Sequence, residues 1–210
     1  FSKVIAKKSH FNAGAKISQV NSDNQIDFKQ LTDTGYIPVP SLTDHFIYKE
    51  RIAAGYLQFD SKIGKTSLMV SLRGEHTSSN ALSLNPTRRK DTSYFNLFPN
   101  AQISQQLNKN NLLTLSFARS IERPNYQDLN PFVSYVDEFY SSTGNPALKP
   151  DYINTYRISD LLFNKYKISL SYKETDNFFS GIFNQNDSSK AYVVTKVNLG
   201  NRYQYMAELS

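Results

Sequence analysis

Cysteine is missing from all 210 residues, and with it go a disulfide framework, a thiolate metal site and redox chemistry at sulfur. No apolar run approaches the ~18 residues that mark a membrane-crossing helix. The opening Phe1-Ser2-Lys3 lacks the charged and apolar regions of a signal peptide, so any leader is expected to lie outside this chain. Basic residues outnumber acidic ones, 24 to 18, for a formal net charge of +6. They are scattered rather than gathered into basic runs, so no nucleic-acid partner is expected. His10, His45 and His76 are far apart and show no ligand spacing, so neither a zinc site nor another cofactor is expected. The Gly-Lys-Thr-Ser run at 64–67 matches only the end of a phosphate-binding loop. Phe59 stands where the earlier glycine is needed, and the run links two strands rather than a strand and a helix. No serine sits on a strand-to-helix elbow, and no enzyme is expected.

What the chain does hold is aromatic. Only 39% of residues are hydrophobic, yet 14 Tyr and 14 Phe bring the aromatic share to 13%, too high for a disordered chain. The reading is an ordered protein with little conventional core.

Strand-type alternation dominates. In YKISLSYKET, Tyr166, Ile168, Leu170 and Tyr172 share one face, while Lys167, Ser169, Ser171 and Lys173 share the other. The same split separates Leu68, Val70 and Leu72 from Ser67, Ser71 and Arg73, and Leu113, Leu115 and Phe117 from Thr114, Ser116 and Ala118. It recurs at 11–18 and 95–104, and about ten such strands can be drawn. Their connections alternate between short polar turns (61–65, 108–111, 163–165, 200–201) and long excursions (32–46, 79–92, 123–151, 179–190). An up-and-down antiparallel sheet places alternate connections at opposite ends, so one end is trimmed and the other elaborated. The expectation is that Lys65, Lys109 and Lys165 lie at the trimmed end and Arg89, Asp128 and Asn186 at the other.

Alternation alone fits both a soluble sheet and a membrane barrel. Length separates them. Several segments reach about ten residues, what a tilted strand needs to cross a bilayer and more than the usual five or six of globular sheets. Aromatic residues near strand ends (Tyr152 and Tyr156, Tyr166 and Tyr172, Phe178 and Phe179) fit interfacial girdles. Arg119 falls on the face of Leu115 and Phe117, so it should lie at or above the outer interface or follow a bulge. The fold expected is all-β: an antiparallel up-and-down transmembrane β-barrel segment, about ten strands of a larger barrel, with short periplasmic turns and long extracellular loops.

The longest excursion begins where alternation stops, at Arg123-Pro124. Pro124 and Pro131 remove backbone donors, Gly144-Asn145-Pro146 is turn chemistry, and Pro150 fixes φ just before the next strand. Arg123, Asp128 and Asn130 are candidates for pinning the loop to the rim. Tyr126, Tyr135, Phe139 and Tyr140 are large, low-entropy groups and candidates for ligand contact, with Asp137 and Glu138 as further polar contacts.

RPNYQDLNPF (Arg123 to Phe132) followed by GNPALKPDY (Gly144 to Tyr152) resembles paired motifs in the barrels of TonB-dependent outer-membrane receptors, particularly the Bacteroidetes-type outer-membrane β-barrel family. LRGEHTSS, LFPNAQIS and VNLGNRYQYMAEL resemble the same pattern in the same order. The resemblance covers nearly the whole chain, most clearly from Asp44 onward. It implies an outer-membrane location in a Gram-negative bacterium and the import of a nutrient such as a siderophore, glycan or peptide. The implied partners are outer-membrane lipid, a plug domain, the remaining barrel strands, the TonB complex and a surface lipoprotein. Such receptors enclose the plug in about 22 strands. Here neither plug nor TonB box is seen, and alternation still runs at Tyr203, Tyr205, Ala207 and Leu209. Residues 1–210 are therefore expected to be part of a single barrel domain. Two other readings stand beside it: a structural or adhesive barrel without transport, and a soluble all-β carbohydrate-binding domain.

Overall fold

The computed structural model describes residues 2–6, 8–85, 87–185, 187 and 190–210. Along the chain run β1 (Ser2–Ala6), β2 (Ser9–Ile26), β3 (Lys29–Thr32), β4 (Gly35–Pro38), β5 (Asp44–Ile63), β6 (Thr66–Leu84), β7 (Thr87–Gln106) and β8 (Leu112–Glu122). A single helical turn, α1 (Tyr126–Leu129), precedes β9 (Val133–Tyr135) and β10 (Tyr140–Thr143). The remainder is β11 (Asp151–Leu162), β12 (Tyr166–Asp176), β13 (Phe179–Gln185), β14 (Tyr192–Asn198) and β15 (Arg202–Leu209). Nine strands form one antiparallel sheet in the order β1-β2-β5-β6-β7-β8-β11-β12-β15. The others belong to the connections at one end.

Burial runs opposite to that of a soluble sheet. Leu170 is 54% exposed and Leu115 46%, whereas Ser169, on the other face, is 4% exposed. Apolar side chains thus point outward as for lipid, and the polar set lines the concave side. One hydrogen-bonded row of outward residues reads Ser9, Ser61, Leu68, Ile103, Leu115, Ile158, Leu170, Ala207. Against that row, the upper edge of the apolar band drops by about six residues between Ile17 on β2 and Tyr172 on β12, and the lower edge drops equally between Phe11 and Tyr166. Six residues climb about 20 Å while six strand spacings cross about 29 Å, which gives a strand tilt of about 35°, at the low end of the range for membrane barrels. Between those edges the band spans six residues, about 16 Å along the membrane normal, and on β7 it widens to the eight from Ile103 to Phe95, about 22 Å and close to the ~25 Å of such barrels.

Aromatic rings cap this band. Phe117 and Tyr156 lie 4.9 Å apart between centroids, Tyr156 and Tyr172 6.0 Å, and Tyr172 and Tyr205 5.0 Å. Tyr166 sits at the opposite end of β12 beneath Lys165. Arg119 lies in an unbroken ladder with β11, so it follows no bulge. It stands one row above Phe117, over the ring of Tyr152 at 5.6 Å. Phe178 and Phe179 depart from the girdle expectation: Phe179 is buried among loop residues and Phe178 covers Arg202 at 3.8 Å.

Turn positions correct the reading in two further places. The 79–92 segment is continued ladder, paired from Ser79↔Thr92 to Leu84↔Thr87. Above the lipid level neither face has to be apolar, so the alternation there fades while the strands go on. Residues 200–201 are not a turn at the trimmed end; they join β14 to β15 at the elaborated end, with Gly200 at φ +98. The tight turns that remain at the trimmed end include Gly64 at φ +60, where the left-handed backbone favours glycine. Lys65, Lys109 and Lys165 do share that end, and Arg89 and Asp128 lie at the other; Asn186 is outside the described residues.

Two measurements follow. Cysteines placed at Arg89 or Asp128 should react with an impermeant thiol reagent on intact cells, whereas cysteines at Lys65, Lys109 or Lys165 should not; equal labelling would reverse the orientation. Leu170→Lys should impair membrane assembly by ~2–4 kcal/mol, and Ser171→Leu, on the lumenal face, should leave it nearly intact. Heat-modifiable migration in detergent gels reads both.

Candidate functional site

The elaborated end is organised around the departure of β8 from β7. Pro99 has no N–H to donate, and the β7–β8 ladder ends at Asn100↔Ala118, immediately below it. Above that point β7 pairs with β6 alone, while β8 stays with β11 up to Glu122↔Asp151. Into this parting the chain inserts Arg123.

The Nη2 of Arg123 donates to Glu75 Oε2 at 2.6 Å and to Thr77 Oγ1 at 3.0 Å. The other carboxylate oxygen of Glu75 accepts from Arg73 Nε. Glu75 and Thr77 are buried, and the Arg123 side chain is 19% exposed. Burial pulls the Arg123 pKa down, but bonds to Glu75 and Tyr94 outweigh it and hold the group above its usual range. One buried carboxylate therefore serves two guanidinium groups, the half-buried Arg73 and the more deeply set Arg123, an arrangement that fails if the shared anion is removed.

Beyond Pro124 the loop folds back on itself. Asn125 Oδ1 accepts from the Asp128 N–H at 2.9 Å and Asp128 Oδ2 from the Asn125 N–H at 3.2 Å, a capping box closing the single turn of α1. Asn130 Oδ1 accepts from the Phe132 N–H at 3.1 Å, and its carbonyl accepts from the Gly144 N–H at 2.9 Å. The Asn145 N–H donates to the Asp128 carbonyl at 2.6 Å. Gly144 lies so close that a Cβ would stand 2.3 Å from Asn130 O. The underside is apolar: Leu129 and Leu148 pack with Phe46 and Tyr48 of β5 and with Phe179, and Tyr126 and Phe132 close the cluster.

A second loop is fastened to the first. Lys196 Nζ pairs with Asp128 Oδ1 at 2.8 Å. Asn198 exchanges two hydrogen bonds with the backbone of Lys149, both 3.0 Å. β10 runs parallel to β14 from Tyr140↔Tyr192 to Thr143↔Thr195, so β13-β14-β10-β9 is one four-stranded sheet above the rim. Of the candidate contact residues, Tyr135, Phe139 and Tyr140 are exposed on this outer sheet and its turn, while Tyr126 faces the buried cluster. Asp137 Oδ1 accepts from the N–H groups of Phe139 and Tyr140, both 2.7 Å, so that oxygen closes the turn.

Sequence reasoning named Arg123, Asp128 and Asn130 but not their counterparts Glu75, Thr77, Lys196 and Asn198. The Asn125-to-Asp128 spacing was a readable capping signal. Glu75 lies 48 residues from Arg123 and gave none.

An apolar exterior, a polar concave face and elaboration at one end together define a section of transmembrane β-barrel wall. The chain belongs to the outer membrane protein beta-barrel family, whose model matches residues 1–210, which places it in the outer membrane of a Gram-negative bacterium. A comparison with curated proteins finds no match. Among solved structures it is similar to the copper transporter OprC (11% identity, 97% of this chain and 33% of that one, TM-score 0.69). It is also similar to the FrpB iron transporter from Neisseria meningitidis (14%, 100% and 31%, 0.59). A third is the Serratia marcescens hemophore receptor HasR (11%, 95% and 40%, 0.58). At these identities the likeness is one of fold. The chain spans 31% to 40% of the length of those three proteins.

Proposed function

We propose that the chain is the barrel portion of a TonB-dependent outer-membrane receptor that imports a nutrient such as a siderophore, glycan or peptide. In the full-length protein a plug domain and further strands complete the barrel, and the TonB complex drives uptake. The observation that carries this reading is a loop assembly locked to the inner wall by Arg123 and Glu75 that leaves Tyr135, Phe139 and Tyr140 exposed on the sheet above the rim. A barrel wall satisfies its own backbone groups, so selectivity has to come from lumenal side chains and such loops. The names of the similar structures, transporters of copper and iron and a receptor binding a heme-carrying hemophore, support import through this fold. In this reading Arg123, Asp128 and Asn130 anchor the loop, and Tyr135, Phe139 and Tyr140 meet the ligand.

Deleting 133–142 from the full-length receptor should abolish or sharply weaken ligand binding and uptake at unchanged surface abundance. If both survive intact, the loop is a protective cover and the reading of a structural or adhesive barrel gains. The deletion removes β9 and most of β10 but leaves the latch and α1 in place, so the barrel itself is expected to assemble.

A further inference from the structure

The departure of β8 leaves β7 with a bare edge. The Gln106 N–H donates to the Lys65 carbonyl, on the β6 side, and the Leu107 N–H to the Asn111 carbonyl, on the β8 side. Successive residues of a strand point their backbone groups to opposite edges, and the β6–β7 ladder runs on without a shift, so the odd-numbered residues of β7 address the β8 side. Pro99, at the head of the parting, is one of them. Above the apolar band, whose upper limit on β7 is Phe95, the N–H and C=O groups of Ser93, Asp91 and Arg89 have no backbone partner among the described residues. β8 and β11 continue the wall beyond this place, so no further barrel strand takes it.

The lumenal side of that edge is basic. The even-numbered residues point inward, Arg88 and Lys90 among them, and Lys149 of the 123–150 loop lies near Lys90. Lys90 Nζ donates to the Pro146 carbonyl at 2.7 Å, which supplies no negative charge. Burial and the neighbouring Lys149 hold the Lys90 pKa below its usual range. Among the described residues none of the three cations is in an ion pair. The carboxylates that share their hollows are engaged: Asp44 accepts from the N–H groups of His45 and Asn85 and from Ser83 Oγ, and Glu50 from the Tyr48 hydroxyl. Charges along an exposed edge deter indiscriminate pairing, whereas charges of one sign on one face leave the edge open to a strand of the opposite sign. Two residues along a strand rise about 6.6–6.8 Å, so alternate side chains of an added strand match the spacing of Arg88 and Lys90.

We propose that the ligand of this receptor is an acidic peptide, bound in extended form as an added strand on the β7 edge, with the backbone of Ser93, Asp91 and Arg89 pairing its backbone and Arg88, Lys90 and Lys149 meeting its carboxylates. The assignment rests on the import reading and names the ligand class within it. A glycan or an iron chelate has no row of alternating N–H and C=O groups to offer this edge.

The test is fluorescence anisotropy with the purified full-length receptor in detergent and a labelled peptide of about eight residues that alternates threonine with glutamate. Wild type should bind it saturably and should not bind threonine alternating with lysine. Ser93→Pro removes one edge donor without touching the β6 ladder and should weaken binding about tenfold, the weight of one backbone hydrogen bond; Ser93→Ala, which keeps the N–H, should match wild type. Arg88→Ser with Lys90→Ser should weaken binding about tenfold through the loss of two exposed ion pairs, and Arg88→Ser alone, which breaks no bond of the loop, about threefold. Methylating the backbone nitrogens of the peptide, which spares its charges, should abolish binding. Heat-modifiable migration checks assembly of each variant. No binding by wild type, equal binding of the lysine peptide, or indifference to Ser93→Pro and to methylation overturns the assignment. Uptake by cells is read separately: a peptide that binds in this way but does not enter leaves the assignment standing and counts against import.

Discussion

Replacing Glu75 by alanine is expected to detach the base of the 123–150 loop while the barrel wall still assembles. The carboxylate is 8% exposed and accepts from both Arg73 and Arg123; without it, the Arg123 guanidinium, 19% exposed, loses its anion, while Arg73, 36% exposed, can still turn to water. Breaking a buried pair in this way costs about 3–5 kcal/mol, which raises the detached population by a factor of roughly 150 to 5,000. Limited proteolysis of intact cells should then cut within 123–150 in the variant and spare wild type. Arg123→Ala should be milder, because Arg73 still neutralises Glu75. The double replacement of Glu75 and Arg123 should be less severe than Glu75→Ala alone. Equal resistance of wild type and Glu75→Ala would show that the apolar cluster holds the loop without the latch.

Gly144→Ala is expected to act on the same loop by a steric route. The added methyl would stand 2.3 Å from Asn130 O, 2.6 Å from Gln127 O and 2.7 Å from Asp128 O, all backbone atoms that cannot swing aside as a side chain does. Relief requires the strand leading out of β10 to withdraw from α1, which breaks the bonds from Gly144 and Asn145 to Asn130 and Asp128. A loss of about 3 kcal/mol or more is expected, the upper range of overpacking. Gly181→Ala is the matched control: its nearest new neighbour is Val194 Cγ1 at 3.6 Å, an ordinary contact. Proteolysis and ligand binding should separate the two, with Gly181→Ala close to wild type. If Gly144→Ala is equally silent, the loop tolerates a looser base than its hydrogen bonds suggest.

These two residues mark where the sequence was readable and where it was not. Inside the membrane the environment enforces a period of two, since every outward side chain meets lipid and every inward one meets water. Leu170 and Ser171 could therefore be placed on opposite faces from spacing alone. Above the membrane that constraint lifts. The ladder from Ser79 to Thr92 continues with polar groups on both sides, so it read as a loop. Gly200 read as a tight turn because glycine signals a left-handed backbone but not the end of the barrel at which it falls. Phe179 read as an interfacial ring because nothing local reveals that the chain turns it beneath Leu148. The latch was half visible: Arg123 stood out at the point where alternation fails, but its acceptor comes from another strand. Only the register of β6 against β7, and the parting at Pro99, bring Glu75 within reach.

The parallel pairing of β10 with β14 carries a consequence for how the molecule is assembled. Tyr140 and Tyr192 meet across about fifty residues of chain, and contacts of such long sequence separation form late because the intervening segment has first to be ordered. Here that segment contains β11 and β12, so closing the outer sheet costs least entropy once both are ordered in the wall. A slip of one residue in either would turn its apolar side chains toward the lumen and shift the base of β13 relative to β10. Correct pairing of β10 with β14 is thus expected to depend on the register of the two strands between them.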